Sequence, residues 1–303
     1  MKSFVVRTGW WIAVWYLCAL SAVYAASGIV VFQSDFGVKD GAVSEVKGVM
    51  YSVNQSLLVS DLTHEIPPFN IWDAGYRLFQ TAPYWPKGTV FVSVVDPGVG
   101  TARRSIVAKT RTGQYFVTPD NGTLTLIDDA IGIEEVRLID ESVNRLKKSG
   151  ASYTFHGRDV YAYTAAKLAS GVISFAGVGP VLKTPIVKLV YQKPVISDHK
   201  LTGAIVILDP QYGNLWTNIS QDMLNRFGLE KGKKYKIKIF QNQQVRYEAV
   251  LPYVTTFGAV PKGAGLIYVN SLLNLAIAIN QGNFAATHGI GSGAGWKIVI
   301  SPV

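Results

Sequence analysis

The sequence predicts an α/β protein of two domains, and three observations lead to this fold class. Over residues 27–187, short apolar strands alternate with amphipathic helices, which is typical of a mostly parallel sheet covered by helices on both faces. Residues 201–303 contain short strands separated by glycine and proline turns, which favours a small antiparallel barrel or sandwich. A length of 303 residues provides enough sequence for two cores. We place the linker over residues 188–200.

The individual elements follow from the spacing of apolar residues. In the N-terminal domain we predict strands over 29–32, 57–61, 89–95 and 105–108, and helices over 41–53, 70–79 and 159–169, with Asn70 as a helix cap. In the C-terminal domain we predict strands over 203–208, 234–240, 246–251, 266–269 and 296–301.

Residues 1–26 are predicted to be a signal peptide. Lys2 and Arg7 precede an apolar run, and the segment ends in Val-Tyr-Ala-Ala, a small-residue cleavage pattern. This predicts export across the inner membrane, most simply to the periplasm. The alternative is a retained membrane anchor. Cys18 is the single cysteine, so the chain after cleavage would have no disulfide, thiolate metal site or cysteine nucleophile.

The charge balance raises the question of a nucleic-acid partner. The formal net charge is +9, and removal of Lys2 and Arg7 would leave about +7. The lysines between residues 231 and 238 alternate with apolar residues, as on the solvated face of a strand, and no aromatic stacking motif accompanies them. We therefore expect no nucleic-acid partner.

Polar residues follow two predicted strands of the N-terminal domain. Asp96, Arg103 and Arg104 come after the strand at 89–95 and enclose a glycine-rich turn, and Asp35 follows the first strand. Ligands of open α/β sheets bind beyond the carboxyl ends of the strands, so both places are candidate sites. The alternative at Asp96 is a tight turn with a structural salt bridge. Asp35 could instead simply cap its turn, and Asp40, which opens the following helix, could be only a helix cap.

Histidines offer two further candidates. His64 lies beside Glu65, but no second histidine stands at ligand spacing, so a structural histidine is favoured and no metal is expected. Phe69, farther along the same loop, could form an apolar wall. His156 precedes a glycine at the start of a predicted helix and could be a base at neutral pH, or a buried structural histidine.

The C-terminal domain carries a third polar group. Asp209 ends a predicted strand and is followed by Asn214 and Trp216, a set suited to an amine, a purine edge and a stacked ring. The alternative is a β-turn beside a core tryptophan.

Six motifs in order resemble the S-adenosylmethionine hydroxide adenosyltransferase family, whose halogenating relatives include the fluorinase and chlorinase. The motifs are Ser-Asp-Phe-Gly from residue 34, Asp-Leu-Thr-His-Glu-Ile-Pro-Pro from 61, Val-Asp-Pro-Gly-Val-Gly-Thr from 95, Pro-Asp-Asn-Gly from 119, Phe-His-Gly-Arg-Asp from 155 and Tyr-Gly-Asn-Leu-Trp-Thr-Asn from 212. The resemblance implies an α/β domain, a C-terminal β-barrel and a homotrimer with sites between neighbouring subunits.

The resemblance also implies an activity. Water or hydroxide attacks the ribose C5′ of S-adenosylmethionine and yields adenosine and L-methionine, with no cofactor. Asp96, Arg103 and His156 match the residues that hold and activate the water. The matched substrate contacts are Asp35 for the ribose, Phe69 as an aromatic wall, Asp40, Asp209 and Ser271 for the methionine moiety, and Asn214, with Trp216 in the same motif, for the adenine.

Two positions depart from the fluorinase pattern: Ala42 replaces a serine that touches methionine, and Leu272 replaces an arginine. In the implied mechanism the leaving group is a neutral thioether, so no general acid is required. Arg103 would favour hydroxide, His156 could take a proton, and Asp96 would hold both.

Two alternatives stay open at this stage. One is an exported adenosine-binding protein without turnover. The other is a carbohydrate hydrolase that uses Asp35 and Asp96 as paired acids, which would require the two carboxyl groups to lie about 5 to 9 Å apart.

Overall fold

The computed structural model describes residues 27–303, and the predicted signal peptide lies outside the described residues. Within these residues no helix is long and apolar enough to span a bilayer. The N-terminal elements are β1 (Ile29–Ser34), α1 (Ala42–Val53), β2 (Leu58–Thr63), α2 (Ile71–Thr81), β3 (Val90–Val94), β4 (Ser105–Thr110), β5 (Tyr115–Pro119), α3 (Thr125–Ala130), β6 (Ile133–Leu138), α4 (Glu141–Asn144), a π-helix (Gly157–Ala162) and α5 (Tyr163–Ala169).

The C-terminal elements are β7 (Val195–Ser197), β8 (Lys200–Leu208), β9 (Leu215–Ser220), α6 (Gln221–Phe227), β10 (Lys234–Gln241), β11 (Gln244–Pro252), β12 (Gly265–Val269), β13 (Asn274–Ile279), α7 (Phe284–His288) and β14 (Trp296–Pro302). Short 3₁₀ turns lie at Ala82–Tyr84, Ala176–Val178 and Phe257–Ala259.

The N-terminal sheet has the strand order β2-β1-β3-β5-β4-β6. β1 pairs in parallel with β2 and β3, and β3 pairs in parallel with β5, whereas β4 is antiparallel to both of its neighbours. Chain order therefore reverses at β1, which has β2 on one side and β3 on the other. This reversal opens a crevice beyond the carboxyl ends of β1 and β3, the usual ligand position in such sheets.

Helices cover both faces of this sheet, as predicted. Val30 and Phe32 of β1 pack with Met50 of α1 and with α5, whereas Val31, between them, packs with Leu78 of α2 on the other face. Successive strand side chains point to opposite faces, so the apolar residues of β1 serve two cores.

The C-terminal sheet is antiparallel and nearly closed, in the order β11-β10-β14-β8-β9-β13-β12 with β7 added to β8. A bridge between Tyr253 and Ile267 joins the two ends of the sheet. On β10, Tyr235, Ile237 and Ile239 are buried, while the lysines between them face outward. The predicted fold class is confirmed.

The two sheets meet through α2. Trp72 donates from Nε1 to the Val206 carbonyl at 2.6 Å, and the buried ring of Tyr76 packs against Ala204 and Val206 of β8. The helix that covers one face of the α/β sheet thus also supports the barrel.

Several elements differ from the sequence prediction. β5, β6, β9 and β13 were not predicted, and the helix predicted over 159–169 begins earlier, as the π-helix. β5 and β9 overlap motifs rich in turn-forming and polar residues, so local sequence favoured loops where sheet pairing imposes strands.

Candidate active site

A cavity of about 280 Å³ lies at the crevice between β1 and β3. Asp35 enters it directly after β1, and Asp96 enters it two residues after β3. The lining residues are Asp35, Phe36, Pro68, Phe69, Val94, Asp96, Val99, Thr154, Phe155, His156 and Gly157. The fold therefore brings four of the predicted site residues from separate parts of the sequence, Asp35, Phe69, Asp96 and His156, to one cavity.

Arg103 and Asp96 form a bidentate ion pair at this cavity. Arg103 Nε lies 2.9 Å from Asp96 Oδ1, and Nη2 lies 2.5 Å from Oδ2. The two side chains are only 11% and 6% exposed, so water screens the pair weakly. Arg103 Nη1 also donates to Ser105 Oγ at 2.8 Å, which fixes the plane of the guanidinium.

His156 is held in one orientation by the same guanidinium. Arg103 Nη2 lies 2.8 Å from His156 Nδ1, and because Arg103 has only donors, Nδ1 accepts. The ring is therefore neutral, with its proton on Nε2. Burial, together with the charge of Arg103, holds the pKa of His156 below its usual value of 6.5. Among the described residues Nε2 has no hydrogen-bond partner.

This arrangement bears on the predicted role of His156 as a proton acceptor. The lone pair of Nδ1 already faces Arg103, and Nε2 carries a proton, so the imidazole presents a donor. Proton uptake would require the bond to Arg103 to break. The geometry thus favours His156 as a hydrogen-bond donor toward an oxygen atom.

The π-helix and the residue before it place two side chains at one ion pair. His156 directly precedes this helix, and Tyr161, five positions later, places its hydroxyl 3.4 Å from Asp96 Oδ2 and 3.3 Å from Ser105 Oγ. In an α-helix, side chains five positions apart diverge by about 140°, whereas the i→i+5 repeat of a π-helix places them on one side. Burial raises the pKa of Tyr161, so its hydroxyl remains protonated.

Glycines allow the chain between Asp96 and Arg103 to fold back. Gly100 has a φ of +76°, and a Cβ there would lie 3.0 Å from the Tyr153 carbonyl oxygen. Asn121 donates to the Val95 carbonyl at 2.9 Å and fixes the residue before Asp96. Ser105, Tyr161 and Asn121 were not predicted to be site residues. Of these three, only Asn121 lies within one of the six motifs, Pro-Asp-Asn-Gly.

The other predicted residues of this domain lie in different settings. Asp35 Oδ2 accepts from the Phe69 amide at 2.9 Å, and the Phe69 side chain is 71% exposed beside the cavity. Asp40 does not line the cavity and accepts from the Ala42 amide at 3.0 Å at the start of α1. Arg104 pairs with Asp120, away from the cavity lining.

Two of the predicted C-terminal contacts, Asn214 and the Asp209 bonded to it, lie at a second cavity of about 540 Å³. Asn214 lines it together with Tyr212, and Asp209 accepts from the Asn214 side chain at 3.4 Å. Trp216 and Leu272 instead pack against the apolar cluster around Ala204. Ser271 is exposed in the turn between β12 and β13.

The two cavities share no lining residue. Within one chain the predicted ribose and water contacts are therefore separate from the predicted adenine contact at Asn214.

The carbohydrate-hydrolase alternative loses support in this geometry. Both oxygens of Asp96 accept hydrogen bonds from Arg103, which suits a carboxylate and leaves no acid to pair with Asp35. In residues 27–303, no group of three or more histidine, cysteine, aspartate or glutamate side chains is arranged to hold a metal ion.

Comparisons with known proteins agree with the resemblance. Profiles of the SAM hydroxide adenosyltransferase N-terminal and C-terminal domains match residues 30–179 and 203–297. A (R)-S-adenosyl-L-methionine hydrolase of Thermus thermophilus is 34% identical over 87% of this chain and 96% of its own length. A fluorinase of an Actinoplanes species is 28% identical over 88% of this chain and 95% of its own.

A solved structure is similar over nearly the whole described chain. The crystal structure of an uncharacterized conserved protein from Thermotoga maritima has a TM-score of 0.82 and 34% identity, and the match covers 90% of this chain and 99% of that one. Both domain profiles, the full-length relatives and the ordered site motifs coincide. This chain therefore belongs to the S-adenosylmethionine hydroxide adenosyltransferase family.

Proposed function

We propose that this protein hydrolyses S-adenosyl-L-methionine to adenosine and L-methionine. One observation carries the proposal: the Asp96–Arg103–His156 cluster reaches the cavity that Asp35 also lines, so a water-orienting group and a ribose-binding carboxylate face one space. Hydrolases of this substrate are among the relatives. A binding protein without turnover is not favoured by these relatives.

The proposed chemistry is an in-line displacement by hydroxide. A bond forms between the hydroxide oxygen and C5′ while the C5′–S bond breaks, and its electron pair returns to sulfur as a neutral thioether. The proton of the original water has by then passed to the solvent. Arg103 stabilises the hydroxide by its charge, and Nε2–H of His156 orients it by donating a hydrogen bond. Asp96 holds Arg103, and no cofactor takes part.

We further propose that the working enzyme is a homotrimer whose sites combine the cavity at Asp35 of one subunit with the cavity at Asn214 of a neighbour. The separation of the two cavities within one chain supports this arrangement. Phe69 and Tyr212, one at each cavity, are 71% and 65% exposed, and an interface would cover such aromatic side chains.

We also propose that the protein acts in the periplasm after removal of residues 1–26. The basic start, apolar core and Val-Tyr-Ala-Ala end of this segment support the proposal. Amino-terminal sequencing of protein from the periplasmic fraction should begin at Ala26 or Ser27. Recovery of the uncut chain with the membrane fraction would indicate an anchor instead.

The activity is tested by incubating purified protein with each sulfonium epimer of S-adenosylmethionine, because the relatives' name specifies the (R) form. Equimolar adenosine and L-methionine over many turnovers is the expected result. Arg103→Lys should lower the rate sharply because lysine lacks the bidentate fork, whereas Arg111→Lys, beyond the far end of β4, should not. Tight adenosine binding without methionine release would instead indicate a binding protein.

A further inference from the structure

A second hydrogen-bonded cluster lies behind the cavity and has no part in the chemistry described above. Ser34 Oγ is 2.8 Å from His64 Nδ1, and His64 Nε2 is 2.9 Å from Asp61 Oδ1. Lys47 Nζ of α1 is 2.7 Å from the other oxygen of Asp61. These four side chains, which we call the Ser34 relay, connect the ends of β1 and β2 to α1.

The Ser34 relay resembles a serine hydrolase triad in composition, but its geometry excludes that role. Ser34 is 0% exposed, so no substrate reaches its hydroxyl. The imidazole is also reversed, because the serine contacts Nδ1 and the aspartate contacts Nε2, whereas in hydrolytic triads the nucleophile contacts Nε2. A structural task therefore has to account for this buried polar cluster.

The position of His64 indicates that task. Its carbonyl accepts from the Gly37 amide at 2.8 Å, so His64 binds the loop after β1 through its backbone and the last residue of β1 through its side chain. This loop carries Asp35. The loop that His64 itself begins carries Phe69, whose amide donates to Asp35 Oδ2 at 2.9 Å. Asp35 thus lies in one of the two loops that His64 joins and binds the other through Phe69.

The carboxylate of Asp61 fixes the orientation of the imidazole in the Ser34 relay. Burial alone would raise the pKa of Asp61, but hydrogen bonds from Lys47 and His64 hold it below its usual value. An ionised Asp61 accepts from His64 Nε2–H, so the imidazole is held with Nδ1 against the Ser34 hydroxyl. Ser34, the residue directly before Asp35, is therefore held by an imidazole of fixed orientation.

We propose that His64 is a positioning residue that, through Ser34 and the loop at Gly37, aims the Asp35 carboxylate at the ribose hydroxyls of the substrate. The inference rests on the proposed function, because it needs the cavity at Asp35 to receive a ribose. It assigns a role to a histidine that makes no contact with the reacting atoms. Asp61 and Lys47 hold the imidazole in the required orientation.

The test compares the affinities of adenosine and 2′,3′-dideoxyadenosine by calorimetry, using the purified full-length assembly. The dissociation constant of 2′,3′-dideoxyadenosine divided by that of adenosine reports the ribose hydroxyl contacts alone. Ser34→Ala and His64→Gln should lower this ratio between about 5-fold and 100-fold, the coupling expected within one hydrogen-bond network. Gln114→Leu provides the control, because Gln114 is equally buried and binds the carbonyls of Ala82 and Trp85 at the opposite end of the sheet.

The outcomes separate this inference from the proposed function. A purely structural role would lower the unfolding temperature of both variants and of Gln114→Leu, while the ratio kept its wild-type value, and this would overturn the proposal. A wild-type protein that binds both nucleosides equally would also overturn it. If the wild type prefers adenosine but does not cleave S-adenosylmethionine, the proposed reaction fails and the role of His64 is still decided by the ratio.

Discussion

The guanidinium of Arg103 donates to Nδ1 of His156 across 2.8 Å, so a cation and an imidazole are in direct contact in a buried setting. Such contact is compatible only with the neutral imidazole. His156 therefore offers its second nitrogen, Nε2, as a donor, and the charge beside it is carried by Arg103 alone.

The first prediction concerns the pKa of His156. Burial and the charge of Arg103 both favour the neutral ring, so the pKa should lie below 6.5 in the wild type. Arg103→Gln removes the charge and should raise the pKa toward its ordinary value. Nuclear magnetic resonance titration of the ring proton signals measures both values. An unchanged pKa in the variant would mean that burial alone sets it.

The second prediction is the dependence of stability on pH. Because the folded pKa of His156 is depressed, the unfolded chain binds more protons between the two pKa values. The contribution of His156 to stability is thus fully present above about pH 6.5 and is lost as the pH falls toward the folded pKa. Denaturant unfolding of wild type and His156→Gln at pH 7.5 and 5.0 should show a smaller acid-induced loss in the variant.

The third prediction is the effect of Asp96→Asn. The amide would be neutral and would replace one of the two acceptor oxygens by an NH2 donor facing Arg103, so the guanidinium would lose its bidentate partner. We expect kcat to fall by about 10²- to 10³-fold with little change in KM, because the interaction acts on the transition state. Glu134→Gln, an exposed partner of Lys109, is the matched control. A kcat close to that of wild type would remove Asp96 from the mechanism.

The fourth prediction tests whether two subunits share a site. His156→Ala and Asn214→Ala should each be inactive when pure. Co-expressed at equal levels, they should regain about a quarter of wild-type activity, because in random trimers a quarter of the interfaces combine an intact N-terminal half with an intact C-terminal half. Complementation would be absent if each site were formed within one chain.

A further prediction follows from the turn beside the second cavity. Gly213 has a φ of +64°, and a Cβ there would lie 1.9 Å from Asn283 Oδ1. Gly213→Ala should therefore destabilise the fold by about 1 to 3 kcal/mol and weaken adenosine binding. Gly48→Ala at an exposed position of helix α1, where a Cβ meets nothing within 4 Å, should instead stabilise by about 0.5 to 1 kcal/mol. Thermal unfolding distinguishes the two directions.

The sequence by itself determined the fold class and the strand ends that carry polar residues. Apolar spacing distinguishes helices from strands because each has its own period, and that information is local. It was sufficient to place Asp35 and Asp96 just after two predicted strands. It was insufficient for β9, where polar residues of the Asn214 motif concealed a strand that pairing with β8 and β13 stabilises.

Only the tertiary structure decided which side chains meet. Arg103 and His156 are 53 positions apart, and Ser34 and His64 are 30 apart, yet each pair is in direct contact. Strand order brings these residues together, and the π-helix turns Tyr161 toward the same ion pair. The order of strands and the choice between two helical repeats depend on how whole cores pack, which local periodicity does not encode. The packing of whole cores also places Arg103 against Nδ1 of His156, and this contact makes Nδ1 the acceptor.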